Sequence, residues 1–74
     1  MDADERDVVR RALIAYLRRG EDVELETLRS RLETLDGLRY AVIRGADEVL
    51  AVYRVRRDGK LKRLRRRIPA QLRG

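Results

Sequence analysis

The residues of this chain best suited to chemistry are the cations of its C-terminal half. The segment 54–67 holds nine basic residues and a single acidic one, Asp58. Most of the cations are arginines, whose planar guanidinium groups can form two parallel hydrogen bonds to one phosphate or carboxylate. The chemistry predicted for this segment is therefore the binding of anions.

A β-hairpin is predicted to position these cations. Asp58-Gly59 lies between two segments of strand-like composition, and Asp-Gly favours a two-residue turn in which both residues adopt positive φ. That turn sets Arg54 opposite Arg63 and Tyr53 opposite Leu64. Because side chains alternate along a strand, one face should carry five arginines, with Arg57 and Lys60 at the tip. The predicted binding residues are Arg54, Arg56, Arg57, Lys60, Arg63, Arg65 and Arg67.

The two faces of this hairpin are expected to differ in exposure. The face opposite the arginines should pack on helices through Val49, Ala51, Tyr53, Val55, Leu64 and Ile68. The arginine face should be exposed, together with Leu50, Val52 and Leu61. A pair of like charges such as Arg54 and Arg63 destabilises a hairpin. Charges can also protect an exposed sheet from aggregation, but the single sign of this run favours a binding role.

The N-terminal half is predicted to form an αα-hairpin. The first helix should span about Glu5–Arg19, capped by Asp2 or Asp4 and ended by Gly20. Its apolar stripe comprises Val9, Ala12, Leu13, Tyr16 and Leu17. A second helix is predicted for about Val23–Leu35, capped by Asp22 and ended by Gly37. Its leucines Leu25, Leu28, Leu32 and Leu35 should cover the sheet, or alternatively form a dimer contact.

Three strands are predicted after Gly37. They span about 38–43, 48–57 and 60–68, with a turn at 45–47 and an end at Pro69. The spacing of leucines also permits a short basic helix in 60–68. The fold class is α+β: an αα-hairpin (1–37) packed on a basic three-stranded antiparallel meander with a C-terminal tail (38–74), in one domain of 74 residues. A winged helix has a similar order of elements.

Composition argues against several functions. The chain has no Cys and no His, which removes the usual ligands of zinc, the commonest general base and the thiolate nucleophile. We therefore expect no catalytic residue, no metal site, no cofactor and no enzymatic activity. No apolar segment approaches the ~20 residues of a membrane span, and the acidic N-terminus is unlike a signal peptide. The expected location is the cytoplasm.

The charge distribution indicates the partner. Residues 1–37 carry a net charge of −3, whereas residues 38–74 carry +9, for a total of +6. The leading hypothesis is a small nucleic-acid-binding protein that contacts the DNA or RNA backbone with little base specificity. The alternative is a protein-interaction module, an inhibitor or adaptor, that docks its basic face on an acidic partner. The chain is expected to be a monomer or a weak homodimer.

Overall fold

The computed structural model of this chain describes residues 3–19 and 28–73, with side chains from residue 4 onward. These residues form one α-helix, a four-stranded antiparallel sheet in the order β1-β2-β3-β4, and a short 3₁₀ helix. The elements are α1 (Ala3–Leu17), β1 (Arg29–Leu35), β2 (Leu38–Arg44), β3 (Val49–Val55), β4 (Leu61–Leu64) and the 3₁₀ helix (Ala70–Leu72). The α+β class is confirmed, but the sheet has four strands rather than three.

β1 occupies most of the segment predicted to be a second helix. Residues 23–27 of that prediction lie outside the described residues, together with Asp22 and Gly20. From Arg29 to Leu35 the helix prediction is wrong, because the segment pairs along its whole length with β2. Pairing sends neighbouring side chains to opposite faces. The leucines therefore do not share one apolar face, as they would in a helix, because Leu32 and Leu35 lie on opposite faces of the sheet.

The turn between β1 and β2 explains this outcome. Asp36 and Gly37 have φ values of 52° and 77°, and they connect the directly paired Leu35 and Leu38. Two consecutive positive φ values are the requirement of the type I′ turn, whose twist matches that of antiparallel strands. Gly37 is thus a hairpin residue and not the end of a helix. The same Asp-Gly dipeptide had been interpreted as a hairpin only at residues 58–59.

α1 covers one face of the sheet. Val8, Ala12 and Tyr16, spaced four residues apart, are its most buried side chains. Ala12 and Tyr16 pack with Ala41, Ile43, Ala51, Tyr53 and Leu28. The predicted stripe is therefore rotated toward Val8, and Leu17 is exposed rather than buried. Of the two predicted caps, Asp4 lies in the first turn of α1 and not before it, and Asp2 lies outside the described residues. Within the described residues, no helix is long and apolar enough to cross a membrane.

The C-terminal segment covers the other face of the sheet. Leu72, in the 3₁₀ helix, is 2% exposed and packs with Tyr40, Val42 and Val52. Val49, Leu64 and Ile68 pack at the border of this cluster. These three residues had been predicted to face the helices, and Val52 had been predicted to be exposed. The structure corrects both predictions, because the sheet has an apolar layer on each face.

Candidate functional site

The register of the β3–β4 hairpin decides which cations meet. Arg54 pairs with Lys62, Tyr53 with Arg63 and Val52 with Leu64. The predicted register, in which Arg54 faces Arg63, is therefore wrong by one residue. A slip of one residue moves every side chain of a strand to the other face. The predicted face of five arginines does not form.

The turn between β3 and β4 causes this difference. The Arg56 N–H donates to the Lys60 carbonyl, and the Gly59 N–H donates to the Arg56 carbonyl, both at 2.9 Å. Gly59 has a φ of 85°, whereas Asp58 has no positive φ. This is a three-residue turn, Arg57-Asp58-Gly59, with the glycine in the left-handed position. The Asp58 carboxylate accepts a hydrogen bond from the Lys60 N–H at 3.0 Å, which helps to fix the turn.

Four cations meet beside this turn, on the face of the sheet opposite α1. They line an open groove of about 750 Å³, which we call the basic groove. Its lining residues are Arg54, Arg56, Arg57, Lys62 and Asp58. Arg54 projects from β3 and Lys62 from the neighbouring position of β4, so the sheet itself fixes their spacing. Lys60 is exposed in the strand connection next to the groove.

The basic groove has an excess of positive charge. Four cations and one carboxylate give a net formal charge of +3. The carboxylate of Asp58 lies 3.6 Å from a guanidinium nitrogen of Arg56. Among the described residues, Arg54, Arg57 and Lys62 have no ion-pair partner. The arrangement can therefore accept an external anion without first breaking an internal ion pair at these three side chains.

A second, smaller groove adjoins the first. It has a volume of about 300 Å³ and shares Arg54, Arg56 and Arg57 with the basic groove. It extends to the β1–β2 turn, where Gly37 and Leu38 contribute to its lining. Arg39 also lines it, and the Arg39 guanidinium lies 3.4 Å from the Asp4 carboxylate. The three shared arginines are therefore accessible from two sides at one end of the sheet.

Arg63 lies outside the basic groove, because the observed register pairs it with Tyr53 on the other face of the sheet. It projects toward α1, where its guanidinium carbon lies 5.6 Å from the centroid of the Tyr16 ring. This distance is within the range of a cation–π interaction. Arg63 had been predicted to bind the ligand, but in the structure it packs on the helix face of the sheet.

Arg65 and Arg67 also lie apart from the groove. They follow the end of β4 at Leu64, so no strand pairing continues to them. Arg65 lines a separate depression near the start of β3, with Val49 and Ile68. Arg67 has a φ of 56°, which turns the chain toward the 3₁₀ helix. Both side chains are exposed. Of the seven predicted binding residues, the structure brings together Arg54, Arg56 and Arg57, with Lys60 adjacent.

Lys62 is the groove residue that the sequence analysis missed. The predicted register, with Arg54 opposite Arg63, sets Lys62 opposite Val55 and therefore on the other face from the arginines. The observed register instead sets Val55 opposite Leu61 and Val52 opposite Leu64. These two apolar pairs could have identified the correct register, because apolar cross-strand neighbours stabilise a hairpin. No cluster of three or more potential metal ligands occurs within the described residues.

Comparison with known proteins provides no assignment: no family model, no curated protein and no solved structure matches this chain.

Proposed function

We propose that this protein binds the phosphate backbone of nucleic acid through the basic groove. The residues proposed to contact phosphates are Arg54, Arg56, Arg57, Lys60 and Lys62. Arginine suits this role because its guanidinium can donate two parallel hydrogen bonds to one phosphate. A succession of cations on a rigid sheet can follow the repeating charges of a backbone without reading the bases.

The observation that carries the proposal is the pairing of Arg54 with Lys62. The two cations occupy directly opposed positions in neighbouring strands. Opposed like charges destabilise an antiparallel pair by about 0.2–1 kcal/mol. An anion bound between them would relieve this repulsion. Neither side chain has an ion-pair partner among the described residues, so each is available to a ligand.

The aromatic residues favour a duplex over a single strand. The chain has three tyrosines and no Phe or Trp. Tyr16, Tyr40 and Tyr53 are each at most 7% exposed. Proteins that bind single strands usually stack bases on exposed aromatic side chains. Because no aromatic ring is exposed here, the proposed contact is with the backbone of duplex DNA or duplex RNA.

The test is a fluorescence-anisotropy titration with duplex DNA, duplex RNA and single strands of equal length at several salt concentrations. A groove variant replaces Arg54, Arg56, Arg57 and Lys62 by Ala. A matched control variant also replaces four exposed cations by Ala, but outside the groove: Arg10, Arg18, Arg65 and Arg67. The two variants therefore have the same net charge. Circular dichroism establishes that both variants are folded.

We expect duplex affinity to fall steeply with salt, by about 0.9 logarithmic units per decade for each phosphate contact. The groove variant should lose most of the affinity and of the salt dependence, whereas the control should keep most of both. Equal losses in the two variants would mean that net charge, and not the groove, governs binding. If the unaltered protein binds none of the nucleic acids near physiological salt, the proposal fails. The groove would then fit an acidic protein partner better.

A further inference from the structure

The outer edge of β1 is unoccupied within the described part of the chain. β1 pairs with β2 on one side, and no described strand pairs with its other side. No side chain from Arg29 to Leu35 is buried. An edge strand of seven residues presents N–H and C=O groups that can pair with another strand. The charges along β1 indicate which strand that would be.

β1 is complementary in charge to a second copy of itself. Antiparallel pairing centred on Leu32 sets Arg31 of each copy opposite Glu33 of the other, and Ser30 opposite Thr34. Centring on Arg31 or on Glu33 would instead oppose two like charges. Within one chain, Arg31 Nε and Glu33 Oε1 already lie 2.8 Å apart on the same face. The register centred on Leu32 would therefore form a cluster of two cations and two carboxylates.

We propose that two copies of this chain associate through their β1 strands to form one continuous eight-stranded sheet. The twofold axis would pass through the Leu32 pair, perpendicular to the sheet. In an antiparallel pair, directly opposed residues project to the same face. Both copies of α1 would consequently lie on one face of the sheet, and both basic grooves on the other.

This arrangement has a consequence for the proposed function, although the pairing itself does not depend on it. β3 and β4 are the third and fourth strands from the proposed axis. With strands about 4.8 Å apart, the two grooves would be separated by on the order of 30 Å. This is close to the ~34 Å of one turn of duplex DNA. A single duplex could thus contact both grooves, and the linked contacts would increase the total affinity.

The test is sedimentation equilibrium of the protein without nucleic acid, so that its result is independent of the proposed function. Arg31→Glu and Glu33→Arg each create two pairs of opposed like charges in the dimer. Each should weaken dimerisation about tenfold or more. Arg10→Glu, at an exposed position of α1, makes the same change in net charge as Arg31→Glu and should dimerise like the unaltered protein.

An equimolar mixture of the Arg31→Glu and Glu33→Arg variants provides the decisive comparison. Only the heterodimer restores both opposite-charge pairs, so the mixture should dimerise when neither variant does so alone. A second measurement uses the unaltered protein and so does not depend on the folding of any variant. Hydrogen exchange of the β1 amides that point away from β2 should slow as the protein concentration rises. A protein that remains monomeric up to about millimolar concentration would overturn the proposal. Single variants that dimerise as the unaltered protein does would also overturn it.

Discussion

Arg54 and Lys62 face each other across the β3–β4 ladder, with Tyr40 on the other side of Arg54 in β2. A cross-strand pair of opposite charges would stabilise this hairpin, whereas the observed pair of cations does not. A substitution at Lys62 can therefore change the stability of the fold and the affinity for the ligand in opposite directions.

We expect Lys62→Glu to stabilise the fold and weaken the proposed binding. The substitution gives Arg54 an opposed carboxylate and should raise the free energy of unfolding by about 0.5 kcal/mol. The same carboxylate would repel phosphate, so duplex affinity should fall roughly tenfold or more. Urea denaturation and anisotropy titration measure the two effects.

The control for that substitution is Arg65→Glu, which makes the same change of charge at an exposed residue beyond the end of β4. Arg65→Glu should change the free energy of unfolding by less than about 0.5 kcal/mol. It should also reduce duplex affinity less than Lys62→Glu does. If the two substitutions reduce affinity equally, the basic groove is not the binding site.

Arg63→Ala should affect stability more than binding. The Arg63 guanidinium carbon lies 5.6 Å from the centroid of the Tyr16 ring, on the helix face. Loss of this interaction should cost about 0.5–1 kcal/mol. Duplex affinity should fall less than with Arg54→Ala, which removes the same charge from the groove. A larger loss of affinity with Arg63→Ala would support the face of five arginines that the sequence had predicted. Urea denaturation and anisotropy titration again provide the readouts.

The sequence predicted β2, β3 and the α+β class because these depend on local patterns. Residues 40–43 and 49–53 form short, continuous apolar runs rich in Val, Ile and Tyr, and such runs are typical of strands that are buried on both faces. The basic character of the second hairpin was also correct. Charge depends only on composition, so the groove residues Arg54, Arg56 and Arg57 could be predicted without the register.

The register itself could not be obtained from the turn dipeptide. Asp36-Gly37 forms a two-residue turn, whereas Asp58-Gly59 ends a three-residue turn that begins at Arg57. Both turns place glycine at a positive φ, so the dipeptide alone does not distinguish them. The flanking strands decide, because only the three-residue turn sets Val55 opposite Leu61.

β1 was mistaken for a helix because its leucine spacing fits both structures. Leu28, Leu32 and Leu35 recur at helical intervals, yet in the structure Leu32 and Leu35 lie on opposite faces of a strand. The pairing of all seven residues with β2 outweighs the local helical preference. This pairing is a tertiary interaction, although the adjacent Asp-Gly turn was visible evidence for it.

Gly59→Ala should destabilise the β3–β4 turn through the backbone alone. A Cβ at Gly59 would meet no heavy atom within 4 Å, but its φ of 85° is unfavourable for residues with a side chain. The expected cost is about 1–2 kcal/mol. Gly59→Asn should cost less, because asparagine tolerates positive φ better than alanine. Urea denaturation gives both values, and equal stability of all three proteins would contradict the described turn.

Leu72→Ala should be the most destabilising of these substitutions, because Leu72 covers the sheet face opposite α1. Its side chain is 2% exposed and packs on Tyr40, Val42 and Val52. Truncation of a buried leucine typically costs about 2–5 kcal/mol. In a domain of 74 residues, that is a large part of the total stability. Urea denaturation measures the loss.

The neighbouring Gln71→Ala is the control, because Gln71 is exposed in the same 3₁₀ helix. It should change the free energy of unfolding by less than about 0.5 kcal/mol. Amide hydrogen exchange of Leu72→Ala and of Gln71→Ala adds a local measurement, because β2 and β3 form the surface on which Leu72 packs. Faster exchange in these strands should accompany only Leu72→Ala. If both variants unfold at the same urea concentration as the unaltered protein, the C-terminal segment does not form part of the core.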